Sequence, residues 1–151
     1  MTRRMVRIST NHPYLRFPRK DTVRVLAQTY RGERKELPVL AVVFTNGRFM
    51  RTINRKYLRH DYDTDVITFP LGSDGGVEGE IYINLDAARN QAREYGVPFT
   101  TETQRLLIHG ALHLMGYRDA SPRERARMRK QEDRYLELLN AGKISHARTG
   151  R

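Results

Sequence analysis

Two histidines four residues apart, a glycine three later and an aspartate three beyond that stand in the stretch LLIHGALHLMGYRDA, residues 106–120. On a helix, side chains at i and i+4 leave the same face, so His109 and His113 present two imidazoles to one point. Two nitrogens on a tetrahedral zinc, each about 2.0–2.1 Å from it, lie roughly 3.4 Å apart, which neighbouring turns supply. Gly116 falls where a helix stop favours a left-handed residue, and that turn throws the chain back toward the pair. Asp119 then arrives as a third, oxygen ligand, since neither Arg118 nor Ala120 can ligate. The chain has no cysteine, so any metal is held by histidine and carboxylate. Three protein ligands leave a coordination position open, the mark of a catalytic rather than a structural zinc site.

A bare His-x-x-x-His is weak in a chain with five histidines, but Gly116 and Asp119 stand at the offsets a site requires. Leu106, Leu107, Ile108, Ala111, Leu112, Leu114 and Met115 also surround the pair, and a buried helix is a costly place for two polar rings unless something binds them. Metal-dependent proteases share the spacing and carry a catalytic glutamate directly after the first histidine, where this chain has Gly110. Peptide hydrolysis leans on that carboxylate to take a proton from water and return it to the amine. A phosphodiester has a better leaving group, and in RNA an internal 2′-hydroxyl nucleophile. A metal and an arginine can then share the work without a protein carboxylate as obligatory base. Two histidines and one carboxylate also suit Fe(II), but nothing else in the chain suggests an oxygenase.

The elements that must position these residues are legible by periodicity. MVRIST (5–10) reads as a short edge strand. A helix is predicted over 19–33, with Val23, Leu26, Ala27 and Tyr30 on its apolar face and Asp21 as its cap. The continuous apolar run 37–45 reads as a buried strand, punctuated by Asn46 and Gly47. An amphipathic helix follows over 48–58 through Phe49, Met50, Ile53 and Tyr57. Strands are predicted at 64–70 and 80–85 around a glycine-rich loop, then a helix capped by Asp86 and ended by Gly96. Thr101 and Gln104 fit a capping box for the metal helix. In the last helix Ser121 is the cap, Pro122 the first position and Glu124 the return partner, with an end near Leu139. Strands cluster early and helices late, which predicts an α+β fold: helices packed on a small mixed β-sheet. Residues 1–140 are expected to form one domain and 141–151 a basic, flexible tail.

The formal charge is +11, and 23 of the 28 basic residues are arginine. Residues 1–35 carry ten basic and two acidic side chains, and 118–151 carry ten and five, whereas 71–104 hold six acids and two bases. Such ends suit a polyanion, because each neutralised phosphate releases a counterion and arginine pairs with phosphate bidentately. No apolar run approaches a membrane span and the arginine-rich N-terminus lacks the core of a secretory signal, so a cytoplasmic protein is expected. Of the other histidines, His12 reads as a loop residue, His60 as part of a turn with a place at the edge of the site as its alternative, and His146 as part of the tail. Asp61, Asp63 and Asp65 read as turn chemistry before a strand, with Asp65 a candidate to support the site from behind its ligands.

The run His109-Gly110-x-Leu112-His113-Leu114-x-Gly116-Tyr117-x-Asp119 resembles the signature of the YbeY family, bacterial metal-dependent endoribonucleases that mature ribosomal RNA. INRKYLRHDYDTDVITFP (53–70) and GEIYINLDAA (79–88) are similar to two further blocks of that family, so the resemblance covers most of the chain. It implies an α+β fold with a metzincin-like metal helix and a single-strand-specific endoribonuclease. It also implies action on the 3′ end of 16S ribosomal RNA and in ribosome quality control, with one Zn2+ or other divalent ion per chain and the ribosome or its small subunit as partner. Most members carry a third histidine where this chain has Asp119, and a functional arginine directly after the tyrosine where it has Leu58. Arg59, one residue on, is the candidate catalytic arginine. Glu80 stands where many members have aspartate. A metalloprotease-like hydrolase and a non-catalytic ribosome-assembly factor with a structural metal are the competing readings.

Overall fold

A computed structural model describes residues 6–58, 64–72 and 75–149, with side chains as far as Ala141. The elements run β1 (Val6–Thr10), α1 (Arg19–Gly32), β2 (Leu40–Thr45), α2 (Gly47–Leu58), β3 (Val66–Pro70), β4 (Gly79–Asn84), α3 (Leu85–Tyr95), α4 (Phe99–Leu114) and α5 (Pro122–Thr149). The sheet has the order β1-β2-β4-β3, with β1, β2 and β4 parallel and β3 antiparallel at the edge. This is the expected α+β fold with a small mixed sheet.

Alternation along the strands sorts the sheet into two faces. Val6, Leu40, Val42, Phe44, Ile81 and Ile83 point inward to the main core, where they meet Val25 and Leu26 of α1 and Leu107, Ile108 and Ala111 of α4. On the opposite face Met50 and Ile53 of α2 close a smaller cluster over Ile67, flanked by Phe69 and Tyr82. Phe49 and Tyr57, expected on the buried stripe of α2, are exposed, because that helix covers only the β3–β4 end of the sheet. On α1 the buried residues are Thr22, Val25, Leu26, Thr29 and Tyr30, a stripe shifted by about one position from that read in the sequence.

Several element starts differ from the sequence reading. The strand expected over 37–45 begins at Leu40, where pairing with both Val6 and Gly79 begins; Pro38 has no N–H to donate to a ladder. Helix α1 starts directly after Pro18 and α4 directly after Pro98, with no side-chain cap on either. Each proline already holds φ near the helical value, so Asp21 and the Thr101–Gln104 pair are left inside the helices. Gln104 is buried instead, accepting a hydrogen bond from Asn140 Nδ2 at 3.1 Å. Asn84, not Asp86, caps α3 through the N–H of Ala87 at 3.0 Å, because the helix opens immediately where the strand ends. Asp86 instead ties two other segments together, accepting from His12 Nε2 at 2.7 Å and from the Gly47 N–H at 3.0 Å. His12 lies in a loop, as expected, but is buried there, its Nδ1 accepting from the N–H groups of Tyr14 and Leu15. The Ser121–Glu124 capping box forms in both directions, at 3.1 and 2.9 Å. Helix α5 does not end near Leu139 but runs to Thr149; no proline interrupts that segment.

Candidate metal centre

Helix α4 is the central element, packed against α1, α3, α5, β3 and β4. Leu107, Ile108, Ala111 and Leu112 are fully buried and fix its rotation. That rotation turns His109 and His113 outward, each about a quarter exposed. Gly110 faces the opposite way, onto the sheet. A Cβ there would lie 2.8 Å from Ile81 Cγ2, 3.3 Å from Val66 Cγ1 and 3.4 Å from Thr68 Cγ2. The position after the first histidine is a glycine because the helix backbone meets β3 and β4 at that point, and a glutamate side chain has no room there.

The helix ends as the spacing predicts. Gly116 has φ of +101°, its N–H donates to the His113 carbonyl at 3.0 Å, and the Tyr117 N–H donates to the Leu112 carbonyl at 2.9 Å. This paired C-terminal motif reverses the chain and delivers Asp119 to the histidines. His109 Nε2 lies 3.1 Å from His113 Nε2, and Asp119 Oδ2 is 3.2 Å from His113 Nε2 and 3.5 Å from His109 Nε2. These edges bracket the roughly 3.4 Å of a tetrahedral zinc with bonds of about 2.0–2.1 Å. Among the described residues no other group of three or more such side chains comes together in this way.

The far side of each ring fixes which nitrogen is free. His109 Nδ1 lies 2.6 Å from Glu132 Oε2 and His113 Nδ1 lies 3.0 Å from the Tyr117 carbonyl. Both partners accept, so each Nδ1 carries a proton and each Nε2, on the Asp119 side, is the nitrogen that can hold a cation. Burial pushes the His109 pKa down, but Glu132 outweighs it and the net shift is upward. A more basic ring is a better donor to a cation. The residues present therefore fit a single divalent ion.

Glu132 is the functional residue that the sequence reading passed over. It is 6% exposed, and its second oxygen accepts from Arg105 Nη1 at 3.0 Å. The signal was available: Glu132 interrupts the apolar stripe Met128, Tyr135, Leu136 and Leu139 on an otherwise highly charged helix. The turn carrying Asp119 is pinned from behind as well. Tyr117 Oη donates to Glu33 Oε1 at 2.8 Å, while Gln131 Nε2 (2.7 Å) and Tyr135 Oη both donate to Glu33 Oε2. Thus α5 steadies both rings, His109 directly through Glu132 and His113 through Glu33 and the Tyr117 segment.

The family model described as endoribonuclease YbeY matches residues 14–140. The chain belongs to the YbeY family. It is 52% identical over 100 residues to the endoribonuclease YbeY of Chlorobium phaeovibrioides, covering 66% of this chain and 68% of that one. Identity to the endoribonuclease YbeY of Chlorobium luteolum is 45% over 116 residues, covering 77% and 85%. For that of Chlorobium chlorochromatii it is 42% over 126 residues, covering 83% and 81%. A Thermotoga maritima protein known from a solution structure is 26% identical and superposes with a TM-score of 0.64 over 93% of each chain.

Of the other candidate residues, Arg59 lies outside the described residues, as do His60, Asp61 and Asp63, and the side chain of His146. Asp65 lines the same cleft as His109 and Asp119, with its carboxylate accepting from Gln91 Nε2 at 3.1 Å. That cleft has a volume of about 680 Å³ and opens on one side of the histidine pair. A smaller depression, about 290 Å³, lies on the His113 side between α2 and the edge strand β3.

Proposed function

We propose that this chain is a metal-dependent endoribonuclease that cuts single-stranded ribosomal RNA, with His109, His113 and Asp119 holding one Zn2+. The observation that carries the reading is the convergence of three donor atoms, at 3.1, 3.2 and 3.5 Å, beside an open cleft. Family membership and the basic ends of the chain agree with it. Maturation of the 16S ribosomal RNA 3′ end, ribosome quality control, association with the small ribosomal subunit and a cytoplasmic site of action belong to the same proposal. Among the described residues, no helix is long and apolar enough to cross a membrane.

A divalent ion at these atoms supplies Lewis-acid polarisation of a phosphoryl group and neutralises its charge. The chain's own residues do the rest. Glu132 and the Tyr117 carbonyl hold the two Nδ1 protons, so the rings are pre-set and lose no tautomer choice on loading. Arg105 is committed to Glu132 and Asp133, at 3.0 and 2.9 Å, and fixes Glu132 rather than a substrate. Arg59 is assigned the charge developing on the phosphate, as the arginine next to the family's expected position. Position 110 contributes no base, because it is packed against the sheet.

The protease reading rests on the histidine spacing, and the Ile81 contact at Gly110 opposes it. A purely structural metal is opposed by the set of three protein ligands facing a cleft. Metal-loaded protein is to be incubated with a single-stranded RNA and, separately, with casein, alongside His113→Ala. RNA cleavage that needs metal and disappears in a folded His113→Ala protein is the expected result, with casein untouched. Cleavage surviving that substitution, or casein digestion, overturns the proposal. A 2′,3′-cyclic phosphate end on the product identifies the 2′-hydroxyl as nucleophile.

A further inference from the structure

The large cleft holds a carboxylate that the metal centre does not use. Glu102 lies on α4 seven residues before His109, about 10 Å along the helix axis. It is 2% exposed, yet it lines the cleft. The one polar contact of its carboxylate among the described residues is with Arg105 Nε at 4.0 Å, and that arginine is already paired with Glu132 and Asp133. Burial raises its pKa, and although Arg105 opposes this, Asp65 and Glu132 add to it. Neither oxygen takes a hydrogen bond from a described residue, so the carboxylate keeps its acceptor capacity for what enters the cleft.

The walls say what that ligand is. Around the cleft five carboxylates face three arginines, so its deep end repels phosphate. Arg125 and Arg129 sit on exposed positions of α5 at the rim. Arg125 Nη1 donates to the carbonyls of Asp119 and Ala120, at 3.3 and 2.9 Å, which keeps it beside the ligand turn. Arg129 has no hydrogen bond or ion pair with a described residue. Between rim and floor lie apolar surfaces from Leu106 and Met128, with Tyr95 60% exposed at the edge. A basic rim, an apolar aromatic wall and an acceptor floor match a nucleotide placed phosphate outward and base inward. Unpaired RNA bases are read in this way, by stacking and through their Watson–Crick edges.

Resting on the endoribonuclease reading, we propose that this cleft binds a guanine of the RNA next to the cleaved bond, with the Glu102 carboxylate accepting from its N1–H and N2–H groups. Guanine alone presents two adjacent donors to the two oxygens of one carboxylate. Adenine and cytosine set an acceptor nitrogen beside their amino group, and uracil flanks its one N–H with carbonyls. The span from His109 to Glu102 is about that of a nucleotide from phosphate to base edge, so one residue of RNA bridges the metal centre and the pocket.

Two measurements decide it. Cleavage of an unstructured RNA containing all four bases is mapped by sequencing the product ends for the wild type and E102Q. Guanine is expected to be enriched at one fixed position beside the cut by at least about tenfold, as loss of one bidentate base contact implies. In E102Q that enrichment falls away relative to the other sites in the same tube, a ratio that a partly unfolded sample leaves unchanged. Separately, the wild type is titrated with the 5′-monophosphates of guanosine, adenosine, cytidine and uridine, and guanosine monophosphate is expected to bind at least about tenfold more tightly than the others. Cleavage without a guanine preference, a preference kept by E102Q, or equal binding of the four nucleotides overturns the proposal. Absence of any RNA cleavage sinks the endoribonuclease reading instead, and the nucleotide titration still decides the pocket.

Discussion

Gly110→Ala tests the link between the packing of α4 and the missing protease base. In an open helix the change gains up to about 1 kcal/mol in helix propensity. Here the added methyl would stand 2.8 Å from Ile81 Cγ2 and within 3.4 Å of Val66 and Thr68. The first distance is shorter than van der Waals contact, and all three neighbours belong to strands already paired in the sheet. Overpacking of this kind costs about 1–3 kcal/mol. The clash outweighs the propensity gain, leaving a net loss of about 1 kcal/mol and a melting temperature roughly 2–4 °C lower for a chain of this size. Thermal unfolding followed by circular dichroism, with chelator present so that metal linkage does not enter, measures it. Gly110→Glu should be far worse, since it also drives an unpaired carboxylate against the inner face of the sheet, and it should confer no protease activity. A Gly110→Ala protein that melts higher than wild type, as an unconstrained helical glycine would give, refutes the account of why this residue is glycine.

Three further outcomes are expected. Glu132→Ala removes the acceptor that orients His109 and should weaken divalent-metal binding about 10–100-fold in a chelator competition, so unchanged affinity would detach Glu132 from the site. Asp119→Ala should lower the metal content from one per chain toward zero by elemental analysis, and full occupancy in that variant would remove Asp119 from the ligand set. Glu33 should make the stability depend on acid pH: burial raises its pKa, but hydrogen bonds from Tyr135, Tyr117 and Gln131 outweigh this and set it below the ordinary value of 4.5. Its contribution is thus complete above the unfolded value and lost as pH falls through the lower folded value. Denaturant titrations of wild type and Glu33→Gln at a series of acid pH values should converge as that window is crossed; parallel curves would show that Glu33 contributes no such dependence.

The convergence of His109, His113 and Asp119 was legible because it is local. A helix repeat puts His109 over His113, and one glycine turn brings back Asp119, so a single short stretch of chain specifies the triangle almost without the rest of the fold. The sheet and its helices were legible for a related reason, since each element carries its own period. Glu132 and Glu33 were not, because their partners are 23 and 84 residues away and only the packing of α5 across α4 and α1 brings them together. In sequence, Glu132 looks like one more charge on a helix that is mostly charge. The caps failed in a different way. Pro18 and Pro98 started their helices by fixing φ, so the hydroxyl and carboxyl side chains that look like caps were free to be used elsewhere. Gly110 joins the two kinds of information. Read alone it is an absent catalytic residue; placed against Ile81 it is a packing requirement. The contact that lets α4 lie close on the sheet, with its histidines turned outward, is the same contact that denies the centre a carboxylate at that position. Proton transfers at this centre therefore cannot be assigned to position 110, the place where a protease carries its base.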